Sequence, residues 1–379
     1  MMDTTLARWT TRDRGALRHL DPTLIVTTVA LSVYGLFMVY SATQQGLRSL
    51  GEDPGYFLKK QVAFLMLGVI AMVIAALFDY RLSKVYAPII YGAMGLLLLV
   101  VLTPLGDETA GAQRWINIFG FQFQPSEFAK LAVLAMLGAY LSEVRGDLRL
   151  EHVVRAAGIA VAPMVLVFLQ PDVGTTMVFA AVLIGTLVVR GARLKHLGLL
   201  VLAAILAMVV AFQLGIVKDY QIARLTAFAD PSSDPLRAGY NKAQAEIAIG
   251  AGGLTGRGYL NGTQTNLDFV PEQHTDFVFT VVGEELGFLG AMALLGLFAV
   301  LIWRGFRTAL MSKDTFGTLL AAGITVMWAT QVFINVGMTV GIMPITGIPL
   351  PFVSYGGTSL LVNFLAAGLV LNVHMRRFK

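Results

Sequence analysis

The chain is poor in the residues that many enzymes use for redox chemistry and metal binding. Its 379 residues include no cysteine and 5 histidines, and 13% of them are charged. The absence of cysteine excludes disulfides, thiolate metal sites and cysteine nucleophiles. The histidines show no metal-ligand spacing. Because a soluble domain carries roughly a quarter charged residues, the shortage of charge also excludes an ordinary soluble fold.

Long hydrophobic runs take the place of the missing charge. Hydrophobic residues make up 56% of the chain, its mean hydropathy is +0.72, and about 20 apolar residues suffice to span a bilayer. The sequence therefore predicts an all-α polytopic membrane protein with about ten transmembrane helices in a single membrane domain, residues 1–379. The predicted spans are 22–43, 62–78, 86–105, 128–142, 153–169, 173–189, 197–216, 277–304, 316–342 and 351–374.

Basic residues indicate how the spans are oriented. Residues 1–21 form a basic arm, and the apolar stretch behind it is too long for a cleaved signal peptide, so it predicts a retained anchor. Because basic residues favour the cytoplasmic side, an even number of spans with basic segments at both ends predicts that both termini are cytoplasmic. These flanks also explain the net charge of +5, so a nucleic-acid partner is not expected. The terminal basic residues are Arg8, Arg12, Arg14, Arg18, Arg376, Arg377 and Lys379.

The segment 217–276, between the seventh and eighth predicted spans, is too long to be a plain connection. The orientation above places it outside the cytoplasm. Its glycines cluster between Gly250 and Gly262, and residues 238–250 are predicted to form a short interfacial helix. The regular mixture of Ile, Leu, Phe and Tyr along it favours an ordered loop.

An acidic residue stands at the mouth of the eighth predicted span. Asp276 ends the run PEQHTD, and Glu284 and Glu285 lie further along the same span. Thr275 or Asp276 would suit a helix cap, because hydroxyl and acidic side chains interact well with a helix N-terminus. Acids within a membrane are also functional candidates, although structural pairing with a basic residue is the alternative. Spacing alone leaves both interpretations open.

A second polar cluster opens the fourth predicted span. Arg114 precedes the run QPSEFAK, in which Glu127 and Lys130 are three residues apart on one helix face and can pair. A lysine at this depth usually extends towards the membrane surface; the alternative is that Lys130 and Arg114 face a cavity that holds an anion. Asp172, in the run QPDVG, starts the sixth span, where a cap is the simpler role.

The connection before the last span is irregular in sequence. Residues 343–357 contain three prolines and three glycines. Because irregular backbone at membrane depth is tolerated only when it is buried in protein or lines a cavity, this run predicts a cavity wall. The polar residues on the same side predict an outward-facing site for a substrate with a lipid tail and an anionic head. They are the acids Asp172, Asp276 and Glu127 and the bases Arg114, Lys130, Arg224 and Lys60.

Together these stretches resemble a known family, the SEDS proteins (shape, elongation, division and sporulation). The resemblance extends from Tyr40 to the last span, and the runs MPITG and PLPF are more similar to the elongation branch than to the division branch. Lys60 departs from the family pattern, since many members have arginine there. The most specific matches are Arg114 with Trp115, QPSEFAK from Gln124, QPDVG from Gln170, PEQHTD up to Asp276, GEELG from Gly283 and SYGG from Ser354.

The resemblance implies a peptidoglycan glycosyltransferase that polymerises lipid II at the outer face of the bacterial cytoplasmic (inner) membrane. It also implies a class B penicillin-binding protein (a transpeptidase) as partner, and a place in the cell-elongation machinery. No organic cofactor is expected. Two other interpretations stay open: a lipid II flippase that transports without bond formation, and a membrane scaffold that recruits the crosslinking enzyme.

The resemblance also implies roles for individual residues. Asp276 is expected to be the general base, and Arg114 and Lys130 are expected to bind the undecaprenyl diphosphate leaving group or the acceptor's diphosphate. A divalent cation, Mg²⁺ or Mn²⁺, is expected to share that role, with Asp172 as its candidate ligand. Because a helix N-terminus lowers a carboxylate's pKa, an electrostatic or metal-positioning role for Asp276 is the alternative. Further expected substrate-binding residues are Glu127, Arg224 and Lys60.

Overall fold

The chain is built almost entirely of helices. The computed structural model describes residues 19–109, 112–118, 121–215, 221–222, 226, 228, 230, 238–267 and 269–378. The helices are α1 (Pro22–Ser49), α2 (Tyr56–Leu77), α3 (Tyr80–Val101), α4 (Pro125–Glu143), α5 (Leu150–Leu169), α6 (Val173–Val189), α7 (Leu194–Gln213), α8 (Ala238–Gly252), α9 (Thr263–Asn266), α10 (Val278–Leu310), α11 (Thr315–Thr339) and α12 (Gly357–Met375).

Helices α1–α7 and α10–α12 overlap the ten predicted spans. Within the described residues, eight of them are long and apolar enough to cross a membrane, and α6 is apolar but has only 17 residues. The multi-pass α-helical class is therefore confirmed, whereas the count of ten spans stays a prediction. The predicted interfacial helix at 238–250 corresponds to α8.

A small antiparallel sheet between α3 and α4 was not predicted. Its strands are β1 (Asp107–Thr109), β2 (Ala112–Ile118) and β3 (Phe121–Phe123), in the order β1-β2-β3. Trp115 pairs with Asp107, and Ile116 pairs with Phe123. Aromatic and β-branched residues in this stretch are typical of strands, and this signal was available in the sequence. The sheet places Arg114 beside the start of α4.

One end of the bundle is closed by polar contacts between helix termini, and we call it the Arg304 end. Arg304 of α10 binds Asp21, the N-cap residue of α1, at 2.5 Å between Nη2 and Oδ2. Asp314 caps α11 through the Gly317 N–H and accepts a 2.5 Å hydrogen bond from the Tyr80 hydroxyl. Burial raises the pKa of Asp314, but these two hydrogen bonds and nearby positive charge outweigh it and lower the pKa overall. The caps tie α1, α3, α10 and α11 together.

The helices differ in how deeply they are buried. Helices α11 and α12 lie at the centre, and α11 packs against α4, α6 and α10, while α12 packs against α2. Helix α7 lies at the periphery, where His196 is its buried residue. A lipid environment accommodates the apolar faces that this arrangement leaves outside.

Helix α10 is broken at Gly287, where φ is +64° and ψ is −163°. The chain after α8 crosses this break and pairs with its backbone: Phe288 N–H donates to Gly253 O at 2.9 Å, and Gly258 N–H donates to Glu285 O at 2.9 Å. Two further bonds of the same kind join Leu289 to Leu254 and Arg257 to Glu284. The segment after α8 therefore satisfies the backbone groups that the break in α10 exposes.

Gly252 allows α8 to lie directly on α10. A Cβ atom at Gly252 would lie 1.8 Å from Gly283 O, whereas a Cβ atom at Gly250, in the same helix, meets nothing within 4 Å. We expect Gly252→Ala to lower the free energy of unfolding by about 1–3 kcal/mol, as overpacking commonly does. Thermal unfolding of purified protein in detergent measures the effect.

The matched control is Gly250→Ala. Because alanine is the better helix former by about 1 kcal/mol, this variant should be as stable as wild type or slightly more stable. Equal melting temperatures for Gly250→Ala and Gly252→Ala would contradict the close approach of α8 to α10.

Candidate functional site

Asp276 lies in a turn, residues 271–277, that leads into α10. The N-cap residue of α10 is Phe277, which makes no side-chain cap bond. Thr275 instead donates from Oγ1 to Glu272 O at 3.1 Å, inside the turn. The N-cap position suggested for Thr275 or Asp276 is therefore filled by Phe277, and Asp276 is half-buried at this end of the bundle, which we call the Asp276 end.

The segment that joins α11 to α12, residues 340–356, runs beside Asp276; we call it the α11–α12 connection. Asn335 of α11 donates from Nδ2 to Asp276 O at 2.8 Å and to Ile348 O at 2.7 Å. Gly347 has a φ of +75°, and a Cβ atom there would lie 3.2 Å from Asp276 Oδ2. The side-chain amide of Asn335 thus binds the backbone of both Asp276 and the α11–α12 connection.

The α11–α12 connection also lies on the N-terminus of α6. A Cβ atom at Gly174 would lie 2.5 Å from Ile348 Cγ1 and 3.0 Å from Thr346 O. Asp172, two residues earlier, caps α6 by accepting the Thr175 N–H at 3.0 Å and the Thr175 hydroxyl at 2.9 Å. The structure therefore places Asp172 and Asp276 on two elements that contact the same short stretch of the connection.

Arg114 projects from β2 to the end of α5. Its Nε donates to Gln170 O at 3.2 Å, and its Nη2 donates to Pro171 O. Gln124, which precedes α4, donates from Nε2 to Asp172 Oδ2 at 3.4 Å. Arg114 therefore donates to carbonyls at the end of α5, which lack partners within the helix, and it lies next to the cap of α6.

Lys130 and Glu127 form a buried ion pair in α4. Their Nζ and Oε1 atoms are 2.7 Å apart, and their side chains are 2% and 3% exposed. Lys130 therefore does not extend towards the membrane surface. Among the described residues, no hydrogen bond reaches the other Glu127 oxygen, Oε2, or the Ser126 hydroxyl. A buried pair of this kind is costly to desolvate and is weak evidence for stability, although removal of one partner alone is strongly destabilising.

Lys60 lies at the exposed start of α2, beside a cluster of rings. Its Nζ donates to the Tyr56 hydroxyl at 2.5 Å. Phe57 packs on His274 and Tyr355 with ring centroids 4.8 and 5.0 Å apart, which joins α2 to the turn and the α11–α12 connection. Lys60 thus belongs to the Asp276 end, whereas Arg224 lies outside the described residues.

The two glutamates within α10 bind different elements: Glu284 binds the start of α9, and Glu285 binds α1. Glu284 accepts the Gln264 N–H at 2.8 Å and the Thr265 N–H at 2.9 Å, which are donors at the start of α9. Glu285 accepts the Ser41 hydroxyl of α1 at 2.5 Å. Both are fully buried. The sequence left open whether these acids are functional or structural, and the structure supports a structural role. The partners described above are backbone and hydroxyl groups, whereas the structural alternative expected a basic residue.

A groove beside the site is almost entirely apolar. It lies between α8, α10 and α11 and has a volume of about 410 Å³. Its wall includes Ile249, Phe279, Met292, Val336 and Val340. An opening of this composition, in a chain that crosses a membrane, suits an acyl or prenyl tail better than a polar head.

The donor set around Asp172 does not fit a protein-bound metal. Both oxygens of its carboxylate already accept hydrogen bonds from Thr175, and Gln124 contacts one of them. Within the described residues there is no group of three or more His, Cys, Asp or Glu side chains that could hold a metal ion. The divalent cation stays a prediction.

Asn335 and Gly347 are site residues that the sequence analysis missed. A buried asparagine in an apolar span is a signal, because polar groups within the membrane are expensive and tend to be functional. Gly347 was part of the run interpreted as a cavity wall, but its proximity to Asp276 requires the fold. Thr358 of α12 was also missed; it donates to Gln122 O at 2.9 Å next to α4.

Comparison with known proteins places this geometry in a family. The family model FTSW_RODA_SPOVE, described as "Cell cycle protein", matches residues 22–379. The chain belongs to this family. It is 38% identical over 359 residues to peptidoglycan glycosyltransferase MrdB of Escherichia coli K12, with 95% of this chain and 94% of the relative covered.

Two solved structures share the fold. One belongs to a peptidoglycan synthase complex described as coordinating polymerization and crosslinking; the match has a TM-score of 0.79 at 33% identity and covers 95% of this chain and 99% of that chain. The other is the rod shape determining protein RodA of Thermus thermophilus, with a TM-score of 0.70 at 30% identity, covering 95% and 98%. The resemblance to SEDS proteins is therefore confirmed over nearly the whole chain.

The buried pair in α4 makes a prediction about stability. Lys130→Met leaves Glu127 as an unpaired buried acid, and removing one partner of a buried pair commonly costs about 3–5 kcal/mol. We expect a correspondingly lower melting temperature in detergent. The double variant Lys130→Met with Glu127→Gln removes both charges and should recover most of the loss. A single variant as stable as the double variant would show that the pair is accessible to water.

Proposed function

We propose that this chain is a peptidoglycan glycosyltransferase that polymerises lipid II in the bacterial cytoplasmic membrane. The named relatives with this activity support the proposal, since they match the chain over nearly its full length. Within the structure, the proposal rests on the position of Asp276. This residue is half-buried, and Asn335 holds its backbone against the irregular α11–α12 connection. A glycosyl acceptor needs a base, and a half-buried carboxylate beside an irregular segment is suited to that role.

The reaction is an inverting transfer. The 4-hydroxyl oxygen of the acceptor sugar attacks the anomeric carbon of the donor, the new glycosidic bond forms, and the bond to undecaprenyl diphosphate breaks. The leaving diphosphate takes the electron pair of the broken bond. Asp276 accepts the proton of the attacking hydroxyl. Because Phe277 occupies the N-cap position of α10, Asp276 is not committed to closing that helix.

Positive charge near the diphosphate is the second requirement of this reaction. Arg114 is proposed to meet it with the part of its guanidinium that does not bind Gln170 and Pro171. Lys130 is proposed to contribute from within α4, where its ion pair with Glu127 orients the side chain in the absence of substrate. Lys60 and Arg224 are proposed as outer contacts for the anionic head, and Lys60 lies exposed at the Asp276 end.

The apolar groove supports a substrate with a lipid tail. It opens between α8, α10 and α11, and α10 follows directly after the turn that carries Asp276. A tail in this groove would leave its head at the level of the turn. Binding energy from such a remote, non-reacting part of a substrate can be used to orient the reacting groups.

We further propose that the Asp276 end faces outward and that both termini are cytoplasmic. The Arg304 end carries Arg304 and Arg307 in the last turns of α10, Lys313 after it, and Arg376 and Arg377 after α12. Basic residues favour the cytoplasmic side. The proposed partner is a class B penicillin-binding protein of the elongation machinery, because the solved relative acts in a complex that coordinates polymerization with crosslinking.

The break in α10 is the observation that most favours a transporter, since discontinuous helices form the binding sites of many transporters. In those sites the freed backbone groups bind the substrate. Here the freed groups around Gly287 pair with residues 253–258 of the outer loop, for example Phe288 N–H with Gly253 O. These backbone groups are thus occupied within the protein, which favours the enzyme over the flippase.

Replacing Asp276 with asparagine tests the proposed function directly. Asp276→Asn keeps the shape of the side chain and the backbone carbonyl that Asn335 binds, but it removes the proton acceptor. We expect polymer formation from labelled lipid II by purified protein to fall by about 10²–10⁴-fold, as for other general bases. Gel separation of the products measures glycan formation.

The matched control is Glu272→Gln in the same turn. Glu272 is exposed, and its contact with Thr275 can be made by an amide oxygen as well. This variant should retain wild-type polymerisation. Folded Asp276→Asn protein that polymerises near the wild-type rate would contradict a role for Asp276 as base.

A further inference from the structure

We infer that Asn335 is the positioning residue for Asp276, an assignment that rests on the proposed function. Asn335 is fully buried in α11. Its side chain lies where the turn before α10 meets the α11–α12 connection. It is not expected to touch the substrate; it acts by fixing where the base stands.

Each of the two side-chain amide protons of Asn335 has its own carbonyl acceptor. Nδ2 carries two hydrogens, and it donates to two carbonyls, Asp276 O at 2.8 Å and Ile348 O at 2.7 Å. These carbonyls belong to two irregular segments that are far apart in sequence. A single NH₂ group therefore sets the separation of the base-carrying turn from the α11–α12 connection.

The residues around Asn335 leave little room for the α11–α12 connection to move. Gly347, adjacent to Ile348, already lies so close to Asp276 that a Cβ atom there would come within 3.2 Å of Oδ2. On its other side the connection is pressed on α6, where Gly174 leaves room for Ile348. The α11–α12 connection cannot move towards α6, so loss of the amide donors would displace mainly the turn and the Asp276 carboxylate.

A displaced base reduces the rate more than it reduces substrate binding. Misplacing a reacting group by about 1 Å can cost about 100-fold in rate. Because the ground-state contacts with the lipid and the diphosphate are made by other residues, KM should change little. A purely structural role for Asn335 would instead reduce the amount of folded enzyme and leave the turnover of the remaining molecules unchanged.

The experiment compares two variants with a control in α11. Asn335→Leu removes both donors, whereas Asn335→Asp keeps the shape of the side chain and leaves at most one donor, the O–H of a protonated carboxyl. We expect kcat, normalised to folded protein, to fall by about 10–100-fold, with KM for lipid II within about threefold of wild type. Asn335→Ser restores one donor and should lie between these variants and wild type.

The control is Thr339→Val, one turn further along the same face of α11. Thr339 is fully buried, and its hydroxyl donates only within the helix, to Val336 O at 2.8 Å. It should leave kcat unchanged. A loss equal to that of Asn335→Leu would show a general disturbance of α11 and would overturn the inference. So would a loss confined to KM.

The Asp276→Asn background separates this inference from the proposed function. If Asp276→Asn is fully active, the proposed base is wrong whatever Asn335 does. If Asp276→Asn is inactive and folded Asn335→Leu turns over like wild type, the function stands and the positioning role fails. If the role is correct, adding Asn335→Leu to Asp276→Asn should cause no further loss, because the two residues act as a unit.

Discussion

Backbone groups that leave regular secondary structure within a membrane must find partners inside the protein, and this constraint organises the fold. Two irregular segments need such partners. Residues 253–258 pair with the backbone groups around the break at Gly287. The side chain of Asn335 binds one carbonyl of the α11–α12 connection, that of Ile348. Both arrangements lie towards the end of α10 that follows Asp276. The candidate site is therefore a consequence of where the bundle departs from helical regularity.

The two ends of the bundle use their charges differently. At the Arg304 end, aspartates cap helices and pair with basic or hydroxyl groups, as Asp21 does with Arg304. At the Asp276 end, Asp172 also caps a helix, but Asp276 stands beside an irregular connection and Lys130 is buried with Glu127. An end that is closed by caps is suited to stability. An end with a half-buried acid beside an irregular wall is suited to chemistry.

Much of this organisation could be predicted from the sequence, because long apolar runs and helix-start residues are local signals. The helices, α8 and the cap at Asp172 follow from them. The sheet containing Arg114 was missed because its strands are short and lie between two spans. The depth of Lys130 was left open, since a lysine near the start of a span either extends outward or pairs inward, and only the packing of α4 decides.

The position of Asn335 could not be predicted because its partners are distant carbonyls. Asp276 is 59 residues away in sequence, and the contact exists only once α10, α11 and the connection have packed. The same is true of Gly347 beside the Asp276 carboxylate. Pairwise proximity across elements depends on tertiary structure, whereas cap residues and spans depend on neighbours along the chain.

We propose that the substrate head meets the turn at 271–277 and the α11–α12 connection. Photocrosslinking of purified protein with a lipid II analogue that carries a reactive group on its sugar, followed by peptide mapping, tests this contact most directly. We expect labels within residues 271–277 and 340–356, and competition by unlabelled lipid II. Labels confined to the middle of the spans, with none in either segment, would contradict it and would favour transport.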